Sequence, residues 1–502
     1  MRLLTALLAA LALPPLTAPV SERPVSERPA VAQPAPARPA GPSPAACTGT
    51  GTGPTGGGSG GDSGGDSGGD SGGSWGGDFD GDGMDDVVAG DPLADIPGAD
   101  GSGAVHVLPG SSGRAGSPAV VTAPEPAAGD GFGWSVRLVH LDGDRCADLL
   151  VGAPYADVAG VRDAGAVYAV YGGGRRGPAR LVAADPEADA HFGWSLAARG
   201  PLVAVGAPHE DADGVRDSGA VHLFEAAAPG TARRITQNTE GVTGNAELGD
   251  MFGWAVELGR LGGTAGELDL AVGLPYENDD GQGAQSDGGT ADSGALTVVF
   301  DVRAGSGARS SRKWDLRDLA EAQAGDRFGY ALAYAEQGGT AYLAAGAPLG
   351  DGGSVEDSGT VQLFQASGTA EITPGGTLSQ GATGATGDGY GSALAFAGGG
   401  DVRLAVGVPH RGPDRRGGVH LVPVADPARA RMVSGTEPGG RLGWSLASGG
   451  NKLVAGAPDH GPSGAVALLG RNDGAVTLLL PGDGRVPAVT GGASVDFGAA
   501  TG

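Results

Sequence analysis

The sequence predicts an all-β protein, a seven-bladed β-propeller closed by pairing of its N- and C-terminal strands, with a disordered N-terminal tether. Three observations carry this. Short apolar runs broken by Gly and Pro recur about every 60 residues, helical periodicity is nearly absent, and the first and last repeats are incomplete in complementary ways. Four-stranded blades cannot bury both faces alone and must stack radially on neighbours, which is what such a repeat encodes.

Composition sets the bounds. The chain has 502 residues, 100 of them Gly, with 40% hydrophobic and only 5% aromatic residues, so its core must come from Val, Leu and Ala in many short elements. A net charge of −26 argues against nucleic acid as a partner, whose phosphates need a basic face, and favours cations. Lys313 and Lys452 are the only lysines, an Arg bias that suggests a GC-rich bacterial genome.

Residues 1–18 read as a signal peptide. Arg2 supplies the charge, residues 3–13 form an apolar run too short to span a bilayer, and Pro14 and Pro15 end it. No other segment is apolar enough to cross a membrane, so the chain is expected to be secreted or at a cell surface. Cys47 and Cys146 are the only cysteines, enough for one bridge in an oxidising compartment. Pro44-Ala45-Ala46 lacks the Leu that a lipid anchor on Cys47 calls for.

Residues 19–74 are Pro/Ala-rich and then Gly/Ser/Asp-rich, with almost nothing to bury, and should be a disordered linker. Residues 60–73 contain GDSGG three times, the sequence around the nucleophilic serine of chymotrypsin-like proteases. A catalytic serine needs a base held by a packed scaffold. The linker offers none, and the first histidine, His106, lies downstream, so the stretch is read as a spacer.

Residues 75–502 hold the repeats. FGWSV at 132 is followed by VGAP at 151, FGWSL at 192 by VGAP at 205, and FGWAV at 252 by VGLP at 272. FGYAL at 328 pairs with AGAP at 345, YGSAL at 390 with VGVP at 406, and LGWSL at 442 with AGAP at 455. A third strand pattern such as GAVYAV or GAVHLF follows each. The pairing resembles the FG-GAP repeat of the integrin α-subunit N-terminal propeller, over roughly residues 76–502. Loops such as HEDADGVRDSGAVHLF, residues 209–224, look like secreted bacterial FG-GAP proteins.

The blade count follows from the two ends. Gly90-Asp91-Pro92 has no FG before it, and Phe497-Gly498 has no GxP after it. Phe132 precedes His140 by eight residues, and Gly502, Gly76 and Gly77 complete the same spacing from Phe497 to Asp78. The C-terminal strand is therefore expected to be the innermost strand of blade 1, which leaves no open edge at the seam.

The strongest chemical motif is DFDGDGMDD, residues 78–86. Ca²⁺ takes six to eight oxygens, and a tight loop with alternating inward side chains supplies them: Asp78, Asp80, Asp82 and Asp86 by carboxylates and Met84 by its carbonyl. Blade 2 carries HLDGDRCAD, residues 140–148, with Asp142, Asp144, Asp148 and the Cys146 carbonyl at the same positions. His140 is a poor Ca²⁺ ligand and Arg145 lacks glycine's freedom, so a metal and a salt-bridged hairpin both remain open. Blades 3 and 7 drop the loop, with FG to GxP shortened from 20 residues to 14. The resemblance implies that these loops lie on the lower face and hold Ca²⁺ structurally.

His106, His222 and His420 share one third-strand position and read as packing residues, as do Trp134, Trp194, Trp254 and Trp444 between blades. The polar loops 155–164, 209–218, 276–293 and 349–358 follow GxP, and the resemblance places them on the upper, ligand-binding face. Tyr155, His209, Glu210 and Tyr276 are the candidate ligand contacts, while Arg162-Asp163 and Arg216-Asp217 read as internal braces. These features together predict a monomeric, non-enzymatic binding or adhesion module for a protein or glycan ligand on a cell surface or matrix. The alternatives are a hydrolase or lyase with a site over the central channel, and a purely structural surface protein.

Overall fold

The computed structural model describes residues 77–110, 119–174, 176–226, 228–278, 289–303, 310–353, 355–367, 371–397, 401–449, 452–470 and 475–502. The expected signal peptide, the linker with its GDSGG repeats and Cys47 lie outside them. No helix among the described residues is long and apolar enough to cross a membrane.

Seven four-stranded antiparallel sheets form the ring. Blade 2 shows the pattern, with strands Ser135–Val139, Asp148–Ala153, Ala166–Val170 and Ala179–Leu181 paired from the inside outward. Blades 3 to 7 repeat it, with inner strands Ser195–Arg199, Ala255–Gly259, Leu332–Gln337, Leu394–Ala397 and Leu446–Gly449. Apolar residues on both faces of the second and third strands explain why every blade needs two neighbours. All six residues of Asp148–Ala153 are buried.

The core is accordingly seven layers, one between each pair of adjacent blades. An FG aromatic or its stand-in sits in each: Phe132, Phe192, Phe252, Phe328, Tyr390 and Phe497 at 0% exposure and Leu442 at 4%. The two motifs recur together because they touch. A Cβ on the GxP glycine of one blade would lie 1.9 to 2.2 Å from the carbonyl oxygen of the next blade's FG glycine, in all seven blades. Only glycine allows that approach.

The ring closes as the sequence predicts. Blade 1 pairs Ala500–Thr501, Val87–Asp91, Ala104–Leu108 and Ala119–Val121 in that order. Ala500 lies opposite Gly90 and Thr501 opposite Ala89, and Gly502 exchanges two hydrogen bonds with Val88 (3.0 and 3.1 Å). Two positions further along, the Gly77 carbonyl accepts from Asp86 N–H (3.0 Å). The two ends of the propeller thus share one inner-strand register. The layer at this seam holds the fewest buried apolar residues of the seven among the described residues, eight against sixteen between blades 3 and 4.

Candidate functional site

The blade 1 loop brings three of its predicted ligands together. Carboxylate oxygens of Asp78, Asp80 and Asp86 lie within 4.8 Å of one another. Local hydrogen bonds shape the loop: Asp78 accepts from the backbone of Gly81 (2.7 Å), Asp82 (3.0 Å) and Gly83 (2.8 Å), and Asp82 turns to Met84 N–H (2.8 Å). Asp82 is therefore not part of the converging trio, and Met84 is half exposed at the tip. Asp86 is buried and accepts from Phe79 (2.8 Å), Asp80 (3.3 Å) and Gly110 (2.9 Å). Asp80 keeps a buried oxygen, Oδ2, with no hydrogen-bond partner.

Electrostatics mark two of these carboxyls. Burial pushes Asp86 up to about 7, with Asp80 adding to the effect, and burial followed by the Asp82 and Asp78 charges raises Asp80. Close carboxylates in a half-buried site resist joint ionisation, and a cation relieves that strain. The donor set, the raised carboxyls and the unpartnered Asp80 oxygen fit a hard divalent cation.

The blade 2 loop is organised differently. His140 Nδ1 lies 3.0 Å from the Cys146 carbonyl oxygen, which can only accept, so the imidazole closes on the very oxygen assigned to a metal. Asp142 accepts from Asp144 N–H (3.1 Å), Asp144 from Cys146 N–H (2.9 Å), and Asp148 from Leu141 (2.7 Å), Asp142 (3.3 Å) and Gly172 (3.0 Å). No cluster of three ligands forms here among the described residues. Cys146 is 1% exposed and disulfide-bonded.

One residue of this class escaped the sequence reading. Asp269 in blade 4 accepts from Leu261 (2.6 Å), Gly263 (3.2 Å) and Asp301 (2.9 Å), repeating the part played by Asp86 and Asp148. The signal was present, since all three stand four residues before a GxP glycine. Their shared task is to pin the loop to the exit of the third strand, which needs no metal.

The candidate ligand contacts separate into two kinds. Tyr155, His209 and Tyr276 join one aromatic track with three FG tryptophans, half-buried except at the buried Trp254. Trp134 and Trp194 have ring centroids 4.8 Å apart, Trp194 and Trp254 4.9 Å, and Trp254 and Tyr330 5.5 Å. Tyr155 packs on Trp134 (5.4 Å) and His191 (4.8 Å), His209 on His191 (4.8 Å), and Tyr276 on Trp254 (5.5 Å). Burial and the neighbouring His209 push His191 down to about 3, so it packs as a neutral ring.

Glu210 departs from the expectation. Its carboxylate is buried, taken by His222 Nε2 (2.7 Å) and by Arg234 Nε, so it braces blade 3 from inside and offers nothing to a ligand. The other shared-position histidines are packed as well: His106 meets Phe497 edge-on (4.8 Å) and His420 bonds Tyr390 Oη (3.2 Å). Arg162 pairs with Asp163 (2.7 Å) and with Asp189 of the next blade, whereas Asp217 is held by His209 (3.3 Å) and Arg216 (3.6 Å).

Charged side chains on the inner strands are paired across the ring. Arg137 reaches Glu257 (2.7 Å), two blades on, and Arg199 reaches Glu336 (3.1 Å), which also takes Arg260 (3.2 Å) and Tyr334 Oη (3.3 Å).

Known proteins carry the same motifs. The FG-GAP repeat family matches residues 132–170 and, in a second form, residues 178–224. Integrin alpha-7 of Rattus norvegicus is 34% identical over 160 residues, and integrin alpha-PS2 of Drosophila melanogaster 32% over 168. Each match covers 30% of this chain but only 13% and 12% of the relative. These matches show FG-GAP repeats in this chain and a similarity to integrin alpha over the matched stretch, and all seven blades share one FG-to-GxP contact.

Proposed function

We propose that the chain is an exported binding or adhesion module, a monomer that presents one face of a Ca²⁺-stiffened propeller to a protein or glycan ligand. The observation that carries this reading is the aromatic track of Trp134, Tyr155, His209, Trp194, Trp254 and Tyr276, which gathers post-GxP residues of three blades onto one continuous strip, half-buried except at the buried Trp254. Amphipathic rings held rigid by packing bind ligands at low entropic cost. The inner-strand Arg and Glu side chains are spent on one another, which weighs against a hydrolase or lyase working over the channel. Asp78, Asp80 and Asp86 would hold the Ca²⁺, whose charge relieves their mutual repulsion and stiffens blade 1.

A glycan and matrix-protein array, probed with Ca²⁺ and with chelator, tests the reading. A ligand should be retained, and Tyr155→Ala with Tyr276→Ala should weaken it roughly thirtyfold or more, as expected for hot spots of about 2 kcal/mol. Turnover of a glycan, lipid or ester by the purified protein, abolished by Arg137→Ala, would replace this reading with the catalytic one.

A further inference from the structure

Blade 1 alone among the seven places a carboxylate inside its GxP. Asp91 stands where the other blades have Ala153, Ala207, Leu274, Ala347, Val408 and Ala457. It is fully buried, and its Oδ1 accepts from the backbone of Val495 (3.2 Å) and Asp496 (2.9 Å), the two residues that lead into Phe497. Every other inner strand is joined to its second strand by the chain itself. At the seam that covalent link is missing, and Asp91 supplies a hydrogen-bonded grip on the incoming backbone instead.

The grip sits in an unusual polar pocket. Asp496 is 5% exposed, with Oδ2 unpartnered, and neither Asp91 Oδ2 nor either ring nitrogen of His106 has a hydrogen-bond partner. His106 Nε2 lies 3.8 Å from Asp91 Oδ2. From blade 7, Asp459 and Arg441 face the same region. Arg441 pairs with Asp459 through Nε and leaves Nη1 and Nη2 buried without partners. The thinnest apolar layer of the ring is thus the one that houses two neighbouring buried carboxyls.

We propose that Asp91 and Asp496 form a protonation-controlled latch on the ring, holding the C-terminal strand when Asp496 carries a proton and loosening it when Asp496 is ionised. Asp91 is tied to the two amides, whereas Asp496 keeps a buried Oδ2 with no hydrogen-bond partner, so Asp496 is the carboxyl that takes the proton. Burial first, and then the Asp91 and Asp459 charges, push Asp496 up to about 7, with Arg441 opposing. A carboxyl raised in the closed state gives stability that is fully present below the ordinary carboxylate range and is lost as pH rises through about 7. The seam therefore tightens in acid and opens in mild alkali.

Hydrogen exchange on the full chain, followed by mass spectrometry and corrected for intrinsic pH dependence, tests the latch. With a closed-state value of about 7 and an open-state value near 3.9, opening of residues 495–502 should rise roughly tenfold between pH 6 and pH 8.5, while residues 135–139 of blade 2 do not change. Asp496→Asn should keep the seam protected across the range, and Asp91→Ala should expose it at every pH. If Asp91→Ala fails to fold, Asp91→Asn, which still accepts both amides, should keep the seam closed and weaken the pH dependence without abolishing it, since burial and Asp459 still raise Asp496. A wild-type seam whose corrected exchange is independent of pH, or an Asp496→Asn seam that keeps the dependence, overturns the proposal.

Discussion

Replacing Phe497 with Ala tests the closure of the ring at its weakest layer. The side chain is fully buried between blades 7 and 1, meets His106 at 4.8 Å, and its N–H donates to the Ser463 carbonyl (3.1 Å). Removing a buried Phe ring costs about 3 to 5 kcal/mol in lost burial and residual cavity. If the seam opens locally before the rest unfolds, that loss appears as opening of residues 496–502 and 86–90 faster by roughly a hundredfold to several thousandfold, at about 1.4 kcal/mol per tenfold. Hydrogen exchange with mass spectrometry reads it directly. Phe192→Ala is the control, since it removes an equally buried ring between blades 2 and 3 and should leave seam exchange nearly unchanged. Equal seam exchange in the wild type and the Phe497→Ala protein would refute the argument, because the seam would then be held by something other than its apolar layer.

Three further outcomes follow from the same structure. Gly273→Ala would put a Cβ 1.9 Å from the Gly329 carbonyl and should cost about 1 to 3 kcal/mol or more in urea unfolding, whereas Gly177→Ala meets nothing within 4 Å and should be neutral. Asp326 is pushed up to about 6 by burial, with Asp351 and Asp357 adding to it, so its contribution to stability is lost as pH rises from about 4 through 6. Asp326→Asn should shrink the fall in melting temperature between those values, and an unchanged profile would count against the assignment. Chelation should remove about 2 to 3 kcal/mol when Ca²⁺ stands a hundredfold above its Kd, and Asp78→Asn with Asp80→Asn should abolish most of that response; an undiminished response in the double variant would place the metal elsewhere.

By itself the sequence determined the strand content, the seven blades and the closure. These are properties of period and spacing, and the same short motifs must recur wherever one blade meets the next. The FG aromatics are buried and the GxP glycines lie against FG carbonyls because a repeated interface demands repeated residues. Tertiary structure alone decided what each polar residue does. Glu210 and Tyr155 both follow a GxP proline closely, yet one is sealed against His222 and Arg234 while the other joins an aromatic track, because the partners come from distant positions and from neighbouring blades. His140 closing on the Cys146 carbonyl depends on a loop fold that one-dimensional spacing does not encode. Asp91 shows the limit most clearly: as one letter it is a GxP variant, and only the meeting of residues more than four hundred positions apart makes it the grip on the C-terminal strand.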